Sequence, residues 1–93
     1  MVKLKLIDSE FSPTEYKEIL YNLFLKKIEF HEIKNFSSQI RFGIDDPTSI
    51  QKIAELNQSM EKISELFEEA KKKNQRLVLF SEIHIDILET KST

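Results

Sequence analysis

The chain has 93 residues, 40% of them hydrophobic and 32% charged, which is the balance of one small globular domain. Its net charge of -2 creates no general positive field, so nucleic acid is not an expected partner. The absence of cysteine excludes disulfides and thiolate chemistry. The N-terminus soon becomes charged, and no run approaches the roughly 20 apolar residues of a spanning helix. We therefore expect neither a signal peptide nor a membrane partner, and a cytoplasmic location.

The first predicted element is a strand. In VKLKLIDSEF, Val2, Leu4 and Leu6 alternate with Lys3 and Lys5. This period of two is typical of a strand with one buried face.

The second predicted element is a helix that starts at SPTE. Ser12 can cap it, Pro13 suits the first helical position, and Glu15 can complete a capping box. Apolar residues at helical spacing continue this helix to at least Lys27.

The third predicted element is a longer helix, which begins at DDPTS after Gly43 has ended the preceding element. It has about 28 residues, or roughly 40 Å. Its apolar residues recur at steps of three and four, the seam of a coiled coil: Ile53, Leu56, Met60, Ile63, Phe67 and Ala70. Lys71–Lys73 suit its C-terminal turn, and Asn74 is the predicted left-handed terminator.

The last predicted element is the amphipathic strand RLVLFSEIHIDIL. Its apolar face contains Leu77, Leu79, Ile83, Ile85 and Ile87, and its polar face contains Glu82, His84 and Asp86. This polar face suits Lys3 and Lys5 on a neighbouring antiparallel strand. Residues 90–93 are expected to be a frayed tail of a single domain that spans residues 1–93.

The segment IEFHEIKNFSSQIRFG admits two interpretations. As two strands it completes a ferredoxin-like β-α-β-β-α-β order. As helix it continues a seam of three-four steps: Ile19, Leu23, Lys26, Phe30, Ile33, Ser37 and Ile40. A helical hairpin of this kind would place Leu23 near Phe67 and Ile40 near Ile50. We favour the hairpin because its two helices have nearly equal lengths.

The predicted fold is therefore α+β, with the order β-α-α-β, a long antiparallel helical hairpin and a two-stranded antiparallel ribbon. Such a ribbon is marginal by itself, and its apolar face needs a cover. We expect a second copy to provide that cover in a homodimer.

The sequence predicts no catalytic, cofactor-binding or metal-binding residues. A single glycine cannot form the backbone cradles of phosphate and nucleophile motifs. Glu82, His84 and Asp86 share one strand face that a metal could use in principle, but alternation produces such a trio on any solvated strand face and no second histidine accompanies it. His31 is isolated in the same way, and a solvated or helix-flank position is expected for it. We expect a protein that is not an enzyme.

The remaining interpretation is interaction with other protein chains. The predicted function is a non-enzymatic protein-protein interaction or homo-oligomerising module, with a homodimer as the expected assembly and another protein as the second option. The candidate interaction surface consists of apolar residues off the seam, for which burial in the core is the competing interpretation: Leu20, Ile28, Phe36, Phe42 and Leu66. The alternative function, a small-ligand- or RNA-binding domain, requires the ferredoxin-like order.

Overall fold

The computed structural model describes residues 1–89. The elements are β1 (Val2–Phe11), α1 (Pro13–Phe42), α2 (Pro47–Lys72) and β2 (Leu77–Ile85). This order confirms the predicted β-α-α-β fold, with two long helices packed as a hairpin and a two-stranded antiparallel sheet. Because α1 is continuous through residues 28–42, the ferredoxin-like alternative is wrong. The predicted frayed tail, residues 90–93, lies outside the described residues.

The predicted capping box starts α1. The Ser12 hydroxyl accepts a hydrogen bond from the Glu15 backbone N–H at 3.3 Å, and the Glu15 carboxylate accepts one from the Ser12 N–H at 3.0 Å. Two backbone donors that a helix start leaves unpaired are thereby satisfied. The helix ends at Gly43, whose φ of +70° is left-handed and whose N–H donates to the Gln39 carbonyl.

The seam predicted for α2 is confirmed. Ile63, Phe67 and Ala70 are buried, and Ile53 and Leu56 are half-buried on the same face. Beyond the helix, Asn74 has a φ of +53° and is the left-handed terminator that the sequence predicts.

The seam predicted for α1 is wrong, because a different face of this helix meets α2. The inward face is also spaced by three and four residues: Lys17, Tyr21, Phe24, Ile28, His31, Asn35 and Ser38, which are all buried or half-buried. The Tyr16 hydroxyl donates to the Ile63 carbonyl at 3.2 Å, and the Asn35 side chain bonds the Asp46 backbone. The residues that these bonds join show that α2 lies about three helical turns along α1 from its predicted position.

This shift leaves the C-terminal turns of α1 extending past the start of α2. The first turn of α2 lies beside Asn35, whereas α1 continues to Phe42. Phe36, Ile40 and Phe42 in that extension are all exposed.

In the ribbon, β1 and β2 pair antiparallel, with Lys5 opposite Glu82 and Lys3 opposite His84. These pairs agree with the predicted match of basic and acidic or polar faces. A bulge at Leu6, between Lys5 and Ile7, adds one residue to β1. The simple alternation predicted for β1 is therefore interrupted.

The core lies where the ribbon joins the helices. It is a cluster of Tyr16, Ile63 and Phe67, and half-buried side chains from α1 and from both strands pack against it: Phe11, Leu20, Tyr21, Phe24, Leu77 and Leu79. The Lys17 ammonium lies 4.5 Å from the centre of the Phe67 ring, a cation–π distance. Only the Phe11–Leu77 end of the ribbon contributes to this core.

Candidate interaction surface

The most exposed apolar face of α1 points away from α2. We call Leu23, Phe30, Ile33 and Ile40 the outward stripe. Their spacing of seven, three and seven residues places them on one helix face. They are 39%, 62%, 60% and 68% exposed, respectively. The stripe has the residue pattern of a helix–helix interface, yet no part of residues 1–89 covers it.

The second exposed apolar region is the free end of the ribbon, which we define as Leu4, Leu6, Ile83 and Ile85. Each of these side chains is between 41% and 48% exposed. The free end lies over α1, and between them is a groove of about 430 Å³. Leu6, Ile83 and Leu23 are among the residues that line this groove. Leu23 belongs to the outward stripe and also lines the groove, so the two exposed apolar regions meet at this residue.

Hydrogen bonds at the closed end of the hairpin explain why the more polar face of α1 turns inward. The Asn35 side chain accepts a hydrogen bond from the Asp46 N–H at 2.7 Å and donates one to the Asp45 carboxylate at 3.2 Å. The Ser38 hydroxyl donates to the Ile44 carbonyl at 3.0 Å. These bonds hold the connecting loop against the inward face, and the outward stripe is therefore directed away from α2.

A serine of α2 extends the same polar cluster. Ser49 is 1% exposed, and its hydroxyl donates to the Asp46 carboxylate at 2.6 Å. This side-chain hydrogen bond lowers the pKa of Asp46 below its ordinary value. The connection between the helices is thus fixed by polar contacts more than by apolar packing.

The candidate residues named from the sequence divide into two groups. Ile28 is buried and Leu20 packs against the core. For these two side chains, burial in the core, which was the competing interpretation, is what the structure shows. Phe36, Phe42 and Leu66 are at least half exposed. Sequence reasoning assigned the outward stripe to the hairpin interior and so missed it as a surface. The apolar residues of α1 fall on two of its faces, and such a helix can pack against neighbours on both sides.

The shifted titratable groups in residues 1–89 have structural explanations. Hydrogen bonds from the Ser12 backbone and hydroxyl lower the pKa of Glu15. Burial raises the pKa of Tyr16. His84 lies 3.4 Å from the Glu82 carboxylate on the exposed face of β2, and within the described residues no group of three candidate metal ligands is present.

The shape of the chain differs from that of a compact domain. The radius of gyration is 17.2 Å, whereas a compact chain of this length has one of about 12 Å. The accessible surface is 7737 Å², whereas a folded monomer of 11.0 kDa exposes about 5,600 Å². The chain therefore exposes about 2,100 Å² more than a compact monomer does.

Comparison with protein-family models, with curated proteins and with solved structures found no match. Neither helix in the part of the chain that the structure describes combines the length and the apolar character needed to cross a membrane.

Proposed function

We propose that this protein is a non-enzymatic interaction module that assembles as a homodimer. The observation that carries the proposal is the exposure of two apolar regions, the outward stripe and the free end of the ribbon, which meet at Leu23. Apolar patches of this kind mark sites of protein association, because burial of apolar surface is favourable by about 25 cal/mol per Å².

The size of the excess surface supports a stable partner. If each copy buried its additional 2,100 Å² or so, the pair would bury about 4,200 Å² in total, which is more than an interface of standard size buries. The area of a weak encounter is much smaller. A second copy of the chain would provide a partner of this extent.

The polar groups also favour a structural role. Glu15 and Asp46, whose pKa values are lowered, are engaged at the starts of the helices. Tyr16, whose pKa is raised, donates its hydroxyl to the Ile63 carbonyl inside the hairpin. Hydrogen bonds at the helix starts account for the two lowered pKa values, and burial in the hairpin accounts for the raised pKa of Tyr16. These structural causes support an assembly role in place of acid–base catalysis.

The test is the molar mass in solution, measured by light scattering over a dilution series. We expect a mass of about twice the 11.0 kDa of the chain, with dissociation only at high dilution. A mass of one chain at every concentration up to about 1 mM would contradict the proposal. In that case a different protein would be the remaining candidate partner.

A further inference from the structure

We propose that the two copies pair α1 against α1 in antiparallel orientation, through the outward stripe, about a two-fold axis between His31 and Glu32. This inference rests on the proposed homodimer and adds the surface, the orientation and the register. Each copy supplies the same residues, so the interface is closed and leaves no stripe free.

The order of residues along the outward face carries the orientation. Leu23 lies as far before the midpoint between His31 and Glu32 as Ile40 lies after it, and Phe30 and Ile33 lie at equal distances from it. In an antiparallel pair about this midpoint, Leu23 meets the partner's Ile40 and Phe30 meets the partner's Ile33. Each apolar side chain of the outward stripe therefore faces another apolar side chain.

The two polar positions of the same face also match. Lys26 and Ser37 are symmetric about the midpoint, so Lys26 meets the partner's Ser37. A parallel pair in register would instead place Lys26 against the partner's Lys26 inside the interface. Two like charges in one desolvated layer of the interface would destabilise the parallel pair. The antiparallel pair does not bring these two lysines together.

The same register covers the free end of the ribbon. The extension of α1 beyond α2 contains Ile40, and the partner's Ile40 would lie beside Leu23, which lines the groove under Leu6 and Ile83. The exposed C-terminal turns of one copy thus lie against the uncovered ribbon of the other. One symmetric contact would bury both exposed regions.

A first test compares two phenylalanines of equal exposure at different places. Phe30 is 62% exposed in the outward stripe, and Phe80 is 63% exposed on the outer face of β2. Phe30→Glu should raise the dimer dissociation constant at least about a hundredfold, because each dimer contains the change twice. Phe80→Glu, as the control, should change it less than about threefold. Equal effects of the two variants, or none at Phe30, would overturn the inference while a wild-type dimer would still support the proposed function.

A second test uses the charges beside the stripe. In the antiparallel pair Lys27 approaches the partner's Lys34, whereas in a parallel pair Glu29 approaches the partner's Lys34. Lys34→Glu should therefore tighten the antiparallel dimer by about threefold to tenfold. A weaker dimer would contradict the antiparallel orientation.

Distances between spin labels measure the orientation directly. The chain has no native cysteine, so Glu32→Cys and Glu18→Cys each carry one label, both at exposed positions of α1. In the antiparallel dimer the two labels at position 32 should be about 20 Å apart and those at position 18 more than about 40 Å apart, because the separation grows by about 3 Å per residue from the axis. Equal distances at the two positions would establish a parallel pair and overturn the inference.

Discussion

The two helices of the hairpin have similar lengths, 30 residues in α1 and 26 in α2, but they use their apolar residues differently. α2 has one apolar stripe and turns it toward α1. α1 has two stripes and turns the more polar one toward α2, where Asn35 and Ser38 bond the connecting loop. The face with more apolar residues remains outside. The difference shows that hydrogen bonds at a helix connection can decide which face is buried in a monomer, and that the remaining apolar face is then free for another chain.

The largest expected difference between the buried and the outward faces is seen with two Phe→Ala changes. Phe67 of α2 is 8% exposed in the core cluster, so Phe67→Ala should lower the free energy of unfolding by about 3–5 kcal/mol. Phe30→Ala, in the outward stripe, should lower it by less than about 0.5 kcal/mol at concentrations where the protein is monomeric. Chemical denaturation at high dilution measures both values. Similar losses would mean that Phe30 lies in the core of the monomer.

A smaller effect is expected at the polar connection. Asn35→Ala removes the acceptor of the Asp46 N–H, which is 2.7 Å away, and should lower the free energy of unfolding by about 1–3 kcal/mol. Asn22→Ala, at an exposed position of the same helix, is the matched control and should change it by less than about 0.5 kcal/mol. If the two variants were equally stable, the loop bonds would not determine the inward face of α1.

The smallest expected effect is the stability that the protein loses in acid because Glu15 and Asp46, at the helix starts, become protonated. Hydrogen bonds lower the pKa of Glu15, from the Ser12 backbone and hydroxyl, and the pKa of Asp46, chiefly from the Ser49 hydroxyl. A folded-state pKa below the unfolded value contributes stability that is fully present above the unfolded value and is lost as the pH falls through the folded value.

The unfolding temperature should therefore decrease between about pH 6 and pH 3, with a smaller decrease in the Glu15→Gln, Asp46→Asn double variant. Glu18→Gln, on the same turn as Glu15, provides a control that should retain the full decrease. An unchanged slope in the double variant would show that these carboxylates are not coupled to folding.

Local signals in the sequence predicted most of the fold. The Ser12 capping box, the Asn74 terminator and the single seam of α2 each depend on neighbouring residues, and the structure confirms each one. The continuity of α1 followed from the three-four spacing through Phe30 and Ile33, which identified a helix even though it identified the wrong face.

The inward face of α1 could not be chosen by hydrophobicity. Its seam contains Asn35, and its position depends on a contact with Asp46 that forms only when the loop has folded back. The bulge at Leu6 has a similar origin, because β2 pairs with β1 from a distant part of the sequence. Both features depend on contacts between distant parts of the chain. The spacing of apolar residues within one segment cannot predict such contacts.

The most direct test of the two-faced α1 is the reaction rate of single cysteines with a thiol reagent as the protein concentration is varied. Ile33→Cys probes the outward stripe, and Ile28→Cys probes the inward face in a chain that has no other cysteine. We predict that Cys at position 33 reacts rapidly in dilute protein and becomes protected as the concentration rises, whereas Cys at position 28 is protected throughout. Protection at position 33 even in the dilute monomer, or rapid reaction there at every concentration, would contradict the account.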